Sequence, residues 1–464
     1  NTAGLERSVN ALLAYRGQLY QGRINLSNSY QKSGFFSGAH GIPTSSNLQD
    51  DGDRWNVDLP YSLVNHFKVT STNVWSTPLL QTQLTLGYQV NHREEWSRFH
   101  THNPSQQPPE TDPDKELMFH LQTGSAQLQL RFTPTTSWQF YGGLSAQVQH
   151  NGIEGYGFLI PAYRRSEYGA YFLTNYHHSS NLLFNASVRY DGAHIHSQAH
   201  GEEVSEVVRD FHDYSLALGV EYTPAAGHQL RASIGRAFRL PSVNELTSNG
   251  VHHGAFRHEM GDSTLVSEQG WQVDLSYSIH RGDWEFSLSP FYSYYPHFIA
   301  LHPTGRWSPL PDAGQIYQYV DAPTTLTGGE VNAKVRIYRD LHYSLTGEYV
   351  HTFDHHSHTA TPFSPPATMR NTLSWEAPRW RCFIECQSVA AQHRVCHNEL
   401  QTPGYNLFHI GGNIDFQLHK SQLTLLLQVH NLFDTSYLNH LNFYRRIDLP
   451  EAGIDIQSTI RLNF

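Results

Sequence analysis

The chain has 464 residues, a formal net charge of −10, and 31 histidines, as many as its lysines and arginines together. The acidic balance argues against nucleic acid as a partner, and no apolar run approaches the roughly 20 residues of a transmembrane helix. Only 39% of residues are hydrophobic and mean hydropathy is −0.50, yet there are 26 Tyr, 24 Phe and 9 Trp.

A large closed sheet reconciles these facts. Half of each strand then faces a polar lumen, and the aromatic residues gather where the wall meets the lipid interfaces. The length alone suggests more than one domain. No Gly/Ser or Pro linker divides the pattern, so one unit over residues 1–464 is expected.

Strand candidates begin with Ser8–Tyr15 and come in pairs, joined alternately by short and long connections. Short turns fall at Thr77-Pro78, Thr133-Pro134-Thr135, His178-Ser179-Ser180 and Pro224-Ala225-Ala226-Gly227. More follow at Arg281-Gly282-Asp283, Arg339-Asp340, Ala377-Pro378 and His419-Lys420. Long loops cover 31–62, 93–115, 151–165, 197–210, 239–266, 301–323, 355–366, 392–403 and 435–452. Short turns at one end and long loops at the other are the outer-membrane barrel arrangement.

Within the strands, apolar and polar residues alternate as a two-sided wall requires. Leu182, Phe184, Ala186, Val188 and Tyr190 oppose Asn185, Ser187 and Arg189. Trp284, Phe286, Leu288 and Tyr292 oppose Glu285, Ser287 and Ser289, and Leu423, Leu425, Leu427 and Val429 oppose Thr424, Gln428 and His430. The last strand sets Ile454, Ile456, Ile460, Leu462 and Phe464 against Asp455, Gln457, Thr459, Arg461 and Asn463. The fold class is therefore all-β, a transmembrane antiparallel β-barrel. The count is about nineteen strands; bacterial single-chain barrels have even numbers, so the amino-terminal part, with roughly three first strands of a 22-strand barrel and any leader, is expected to lie outside this sequence.

Cys382 and Cys386 lie four residues apart on one strand, roughly 13 Å at strand rise, too far for a disulfide. They are expected to face lipid. Cys396, near His393, His397 and Glu399, is expected to be a loop thiol without a role.

Several stretches resemble TonB-dependent outer-membrane receptors. Val429-His430-Asn431-Leu432-Phe433-Asp434-Thr435-Ser436-Tyr437 is similar to that family's penultimate strand and its exit. Gly235-Arg236-Ala237-Phe238-Arg239-Leu240-Pro241, followed by Asn244-Glu245-Leu246, is similar to a strand end and loop midway along their barrels. Thr402-Pro403-Gly404-Tyr405 opens a strand in the same manner. The resemblance implies a 22-strand barrel, an internal plug and an amino-terminal segment that contacts TonB. The last two are expected to be missing from this chain, like the first strands.

The loop after Pro241 carries His252, His253, His258, Glu259, Gly261, Asp262 and Leu265, and Gly38-Ala39-His40-Gly41-Ile42-Pro43 is a second, early histidine-bearing loop. Both resemble the family's zinc-uptake receptors, which implies a metal site at the extracellular mouth. Haem receptors of the same superfamily resemble Phe238-Arg239-Leu240-Pro241 too, with Ala in place of Leu240. They carry an Asn-Pro-Asn-Leu-like element where this chain has Gly261-Asp262-Ser263-Thr264-Leu265.

Zinc takes neutral imidazole nitrogen and carboxylate oxygen, usually four ligands in a tetrahedron. Four zones offer them. The first holds His92, His100 and His102 with Glu94, Glu95, Glu110, Asp112 and Asp114; the second holds His194, His196, His200 and His212 with Glu202, Glu203, Glu206 and Asp210. The third is 252–262, and the fourth holds His351, Asp354, His355, His356 and His358. None has the tight spacing of a structural zinc finger, and any single histidine is by default solvated surface. Arg236 and Arg239 are read as lumen or lipopolysaccharide contacts, and Tyr319 and Asp321 as girdle and turn residues.

The expected function is uptake of a transition metal, zinc first, with haem as the alternative cargo and a passive pore as the alternative class. His252, His253, His258 and Glu259 are the expected ligands, with Asp262, His40, His100 and His102 behind them. Zinc is cargo here, and no catalytic cofactor is expected. No nucleophile elbow or other compact catalytic motif appears, so the chain is not read as an enzyme. The expected setting is the outer membrane of a Gram-negative bacterium, as a monomer in contact with lipid and lipopolysaccharide, with TonB reached through the amino-terminal part.

Overall fold

The structure, a computed structural model, describes residues 3–34, 53, 55–100, 106–201, 204–252, 257–310 and 313–464. Its wall opens with β1 (Gly4–Arg16), β2 (Tyr20–Gly34), β3 (Tyr61–Ser76), β4 (Leu80–Trp96) and β5 (Lys115–Phe132). It continues through β6 (Trp138–Glu154), β7 (Tyr163–Ser179), β8 (Leu182–Ser197), β9 (Val207–Tyr222) and β10 (His228–Arg239). A loop then carries the helix α1 (Val243–Thr247) and the short strands β11 (Asn249–His252) and β12 (Arg257–Met260). The wall resumes with β13 (Glu268–Arg281), β14 (Trp284–Trp307), β15 (Gln315–Tyr338), β16 (Leu341–Asp354) and β17 (Thr368–Ala377). It ends with β18 (Trp380–Val389), β19 (Tyr405–Leu418), β20 (Ser421–His430) and β21 (Asp455–Asn463).

Each wall strand pairs antiparallel with the next, β10 passing directly to β13. Leaving out β11 and β12, the wall has the nineteen strands that alternation predicts, and every short turn falls where its residues place it. β1 and β21 run in the same direction, so an antiparallel ladder cannot join them directly, and among the described residues none does.

Register fixes which face is which, because a one-residue slip would turn every apolar side chain inward. Leu84, Leu86, Tyr88 and Val90 of β4 lie opposite Leu128, Ala126, Gly124 and Gln122 of β5, making one outward face. The same parity carries Leu182 to Tyr190 on β8 and Ile456 to Leu462 on β21. Near the short turns this face carries an aromatic belt. Trp138 stacks on Tyr176 at 4.4 Å and on Phe140 at 5.5 Å, and Trp375 stacks on Trp380 at 6.3 Å. Flat amphipathic rings settle at such an apolar–water boundary. Cys382 and Cys386 share the outward parity of Trp380 and Ile384, as expected.

One expectation is corrected. The 301–323 loop is mostly strand, since β14 runs to Trp307 and β15 begins at Gln315, 24 residues each. A bilayer strand needs about 9–11 residues, so this hairpin stands well clear of the membrane. Its upper part has a neighbour to pair with: β12 lies parallel to β15 from Gln315 to Gln318.

Hydrophobic packing concentrates at the long-loop end. Ile195, Phe211, Val243, Leu246, Leu265 and Ile299 form a buried cluster backed by Tyr163, Leu240 and Tyr319. A second assembly locks three loops over β16–β21. The Glu399 side chain, 4% exposed, accepts from Arg445 Nη2 at 2.5 Å, from Phe363 N at 2.9 Å and from Cys396 N at 3.2 Å. Cys396 is sealed beneath this cap, and burial together with Glu399 raises its thiol pKa.

His440, 1% exposed, sits beside this pair, with Nδ1 3.0 Å from Thr402 Oγ1 and Nε2 3.6 Å from Glu399 Oε1. Burial, reinforced by Arg445 and opposed by Glu399, pushes its pKa down to about 4. The contact with Glu399 is therefore made by a neutral ring at neutral pH. An opened cap would take up a proton that the closed cap does not, so closure is fully favoured above the ordinary histidine value, about 6.5, and weakens as pH falls toward 4. We expect amides of 396–403 and 440–446, corrected for intrinsic rates, to exchange faster at pH 5 than at pH 7.5, and His440→Gln to flatten that dependence.

Candidate metal site at the outer mouth

The loop between β10 and β13 is held from below by charge. Arg239 donates to Glu245 at 2.8 and 2.9 Å and to Glu268 at 3.0 Å. Glu245 Oε2 also accepts from Ser242 N at 2.7 Å, at the start of α1, and Glu268 Oε2 from Ile299 N at 2.8 Å. Arg239 borders a luminal recess with Arg165, Glu167, Arg189 and Asp191, so it is a lumen residue with a structural task. Arg236 is buried, 2.8 Å from Asp213.

From α1 the chain turns into the β11–β12 hairpin. Gly261 N bonds Ser248 O at 2.7 Å and Asp262 N bonds Glu245 O at 2.8 Å, tying the hairpin's end to the helix. Gly250 is required by proximity: a Cβ there would lie 2.1 Å from Phe158 O.

Neighbours along a strand point to opposite faces, and this splits the expected ligands. His252 faces Arg257 across the hairpin and Gly250 faces Glu259, so His252, Arg257 and Glu259 share one face. His258 is on the other. Its Nε2 donates to Asn249 Oδ1 and its Nδ1 accepts from Ser308 Oγ, both at 2.9 Å, which makes it a buried strut in this conformation.

His252 is different. Its Nδ1 is buried and has no hydrogen-bond partner among the described residues. Burial holds its pKa below the ordinary histidine value, opposed by Glu259 and reinforced by Arg257; Glu95 and Arg93 of β4 also act on it. Glu259 Oε1 is held by Arg257 (2.5 Å to Nη2), while among the described residues Oε2 has only a long 3.5 Å contact from the Tyr319 hydroxyl. Tyr319 belongs to this mouth rather than to a girdle: Asn244 Nδ2 donates to it at 3.1 Å. Asp321 lies beside His297 Nδ1 at 2.6 Å on β15. Asp262 Oδ1 accepts from Thr264 N and Oγ1 at 2.8 and 2.6 Å and closes its own turn.

His100 sits in a neighbouring pocket, with Nδ1 3.1 Å from the Tyr156 hydroxyl and Nε2 3.9 Å from the buried Glu116. The 156–159 segment separates it from β11, touching His100 through Tyr156 and Gly250 through Phe158. Glu116 and Tyr156 were not anticipated, since nothing in their local sequence marks them. His40, His102 and His253 lie outside the described residues.

Parity turns three histidines of the second and fourth zones, His194, His196 and His355, to the outward side of the wall. His194 with Asp210 (2.8 Å) and His196 with Glu206 (2.6 Å) lie on the outward side of β8. His355 packs on Phe353 at 4.9 Å and meets Thr325 Oγ1 at 2.7 Å, also outward, and Asp354 accepts from His356 N at 2.7 Å. Among the described residues, no three His, Cys, Asp or Glu side chains converge as a preformed metal site.

A polar-lined wall with its packed, titratable structure concentrated at one rim is the architecture of an outer-membrane receptor barrel. The chain belongs to the TonB-dependent receptor-like β-barrel family, whose model matches residues 3–432. Its fold is similar to that of the copper transporter OprC, with a TM-score of 0.72 at 15% identity over 100% of this chain and 79% of that one. It is similar also to a ferric enterobactin receptor from Pseudomonas aeruginosa (0.72, 14%, 99% and 69%) and to the siderophore receptor PirA from Acinetobacter baumannii (0.71, 13%, 99% and 71%). The protein is an outer-membrane receptor barrel and a transporter by family.

Proposed function

We propose that this receptor takes up a transition-metal ion, zinc first, captured at the extracellular mouth by His252 and Glu259. The observation that carries this reading is the unsatisfied, buried Nδ1 of His252 on the same hairpin face as a carboxylate with one lightly used oxygen. Zinc accepts that donor pair. The lowered pKa favours the neutral form of the imidazole, which is the form that ligates a metal. Glu95 across the mouth and His253 beyond β11 are the proposed completing ligands, with His40, His100 and His102 delivering the ion from the outer loops. Release inward then depends on a plug and on TonB.

The test is a titration of the detergent-solubilised barrel with zinc and, in parallel, with haemin. Zinc binding at micromolar or tighter concentration, weakened about a hundredfold or more in His252→Ala/Glu259→Ala, supports the reading. A haemin Soret band abolished by His252→Ala, with zinc ignored, assigns the mouth to haem instead. Binding of neither overturns the proposal.

A further inference from the structure

The outer end of β4 and β5 carries two imidazoles directly opposite each other. His92 and His120 are cross-strand partners, on the parity of Leu84, Leu86, Tyr88 and Val90, and so face outward from the wall. Their Nδ1 atoms are 3.3 Å apart, with ring centroids 5.6 Å apart at 66°. His92 is held from behind: its Nε2 lies 2.8 Å from Glu94 Oε1, and Glu94 Oε2 accepts from Trp96 Nε1 at 2.7 Å.

A carboxylate only accepts, so it places the His92 proton on Nε2 and aims the Nδ1 lone pair at His120. A carboxylate behind an imidazole in this way is how metal-ligating histidines are oriented. Two nitrogens bonded at about 2.0–2.1 Å to one tetrahedral ion stand about 3.3–3.4 Å apart. The observed separation is that bite.

We propose that His92 and His120 bind a borderline divalent transition-metal ion on the outer wall, with Glu94 and Trp96 as positioning residues and water filling the remaining coordination. No third His, Cys, Asp or Glu converges there among the described residues, so the site is an open, exchangeable one. The Gln122 amide nitrogen faces His120 Nε2 at 3.1 Å. A half-turn of that amide presents its oxygen to Nε2–H and leaves the His120 Nδ1 lone pair for the ion. Two further outward pairs, His194–Asp210 and His196–Glu206, each set one imidazole against a carboxylate, with no facing second ring among the described residues. Among divalent ions copper(II) binds such nitrogen pairs most tightly, which makes it the probe of choice.

The experiment titrates copper(II) into the detergent-solubilised His252→Ala/Glu259→Ala barrel and reads the electron paramagnetic resonance spectrum. We expect one bound copper with couplings to two imidazole nitrogens. His120→Ala should leave one nitrogen and at least about tenfold weaker binding, and Glu94→Gln should keep both nitrogens with roughly 10–100-fold weaker binding. Unchanged spectrum and affinity in His120→Ala, in a barrel that keeps its heat-modifiable gel mobility, overturns the proposal. So does a spectrum without two-nitrogen coupling in the parent. His120→Ala in the otherwise unaltered chain decides the wall site even if the mouth binds no metal.

Discussion

Glu399→Ala is expected to open the cap over β16–β21 at a local cost of about 3–5 kcal/mol. The substitution removes the carboxylate that faces Arg445, whose side chain is 2% exposed and cannot move into water without unpacking the loop. Among the described residues Arg445 then keeps the His440 carbonyl at 2.9 Å and the face of Phe363 at 5.0 Å, neither of which neutralises it. The backbone N–H groups of Phe363 and Cys396 lose their acceptor as well. Glu399→Gln keeps an acceptor and should cost less. Protease nicking and amide exchange across 355–366, 396–403 and 440–446 should rise sharply in the alanine variant, while sheet signal and gel mobility hold. Wild-type protection in Glu399→Ala would show that the loops close without this hub.

Leu246→Ala should cost about 2–5 kcal/mol, while the same change at Leu427 should cost far less. Leu246 is 2% exposed within the mouth cluster, and its removal leaves a cavity among Ile195, Phe211, Val243 and Leu265. Leu427 is 55% exposed on the outward wall, where lipid fills the vacated space. The loss at Leu246 falls on α1, from which the β11–β12 hairpin hangs through Gly261 and Asp262. Zinc affinity should therefore drop in Leu246→Ala although no proposed ligand has changed. Thermal unfolding of the two variants beside their zinc isotherms separates the cases; equal behaviour would mean that α1 is not the support.

Periodicity made the wall legible. Leu182 to Tyr190 or Ile454 to Phe464 declare a side of the sheet residue by residue, and Pro224 to Gly227 or His419-Lys420 can only be turns. The same rule, carried four and six residues past Tyr190, places His194 and His196 on the side of Val188 and Tyr190, away from the lumen. That signal was present but overshadowed by the density of histidine and acid.

The mouth was less legible, for a different reason. Whether His258 is a ligand or a strut depends on Ser308, 50 residues away, and Arg445 meets Glu399 across 46 residues. Such meetings are made by the folded rim, and no local pattern encodes them. The 252–262 loop stands out in the sequence by its chemistry, histidines beside carboxylates. Its internal division, His252 and Glu259 on one face and His258 on the other, follows from a hairpin that the sequence hides among its polar residues.

The three thiols divide the molecule by solvent. Cys382, cross-strand from Trp375 at the aromatic belt, and Cys386 face the lipid side of the wall, which a charged alkylating reagent enters poorly, and Cys396 is shut under the rim with its proton retained. To aqueous thiol chemistry the native chain is therefore silent. A cysteine introduced on any extracellular loop would report alone, without first stripping the protein of its own.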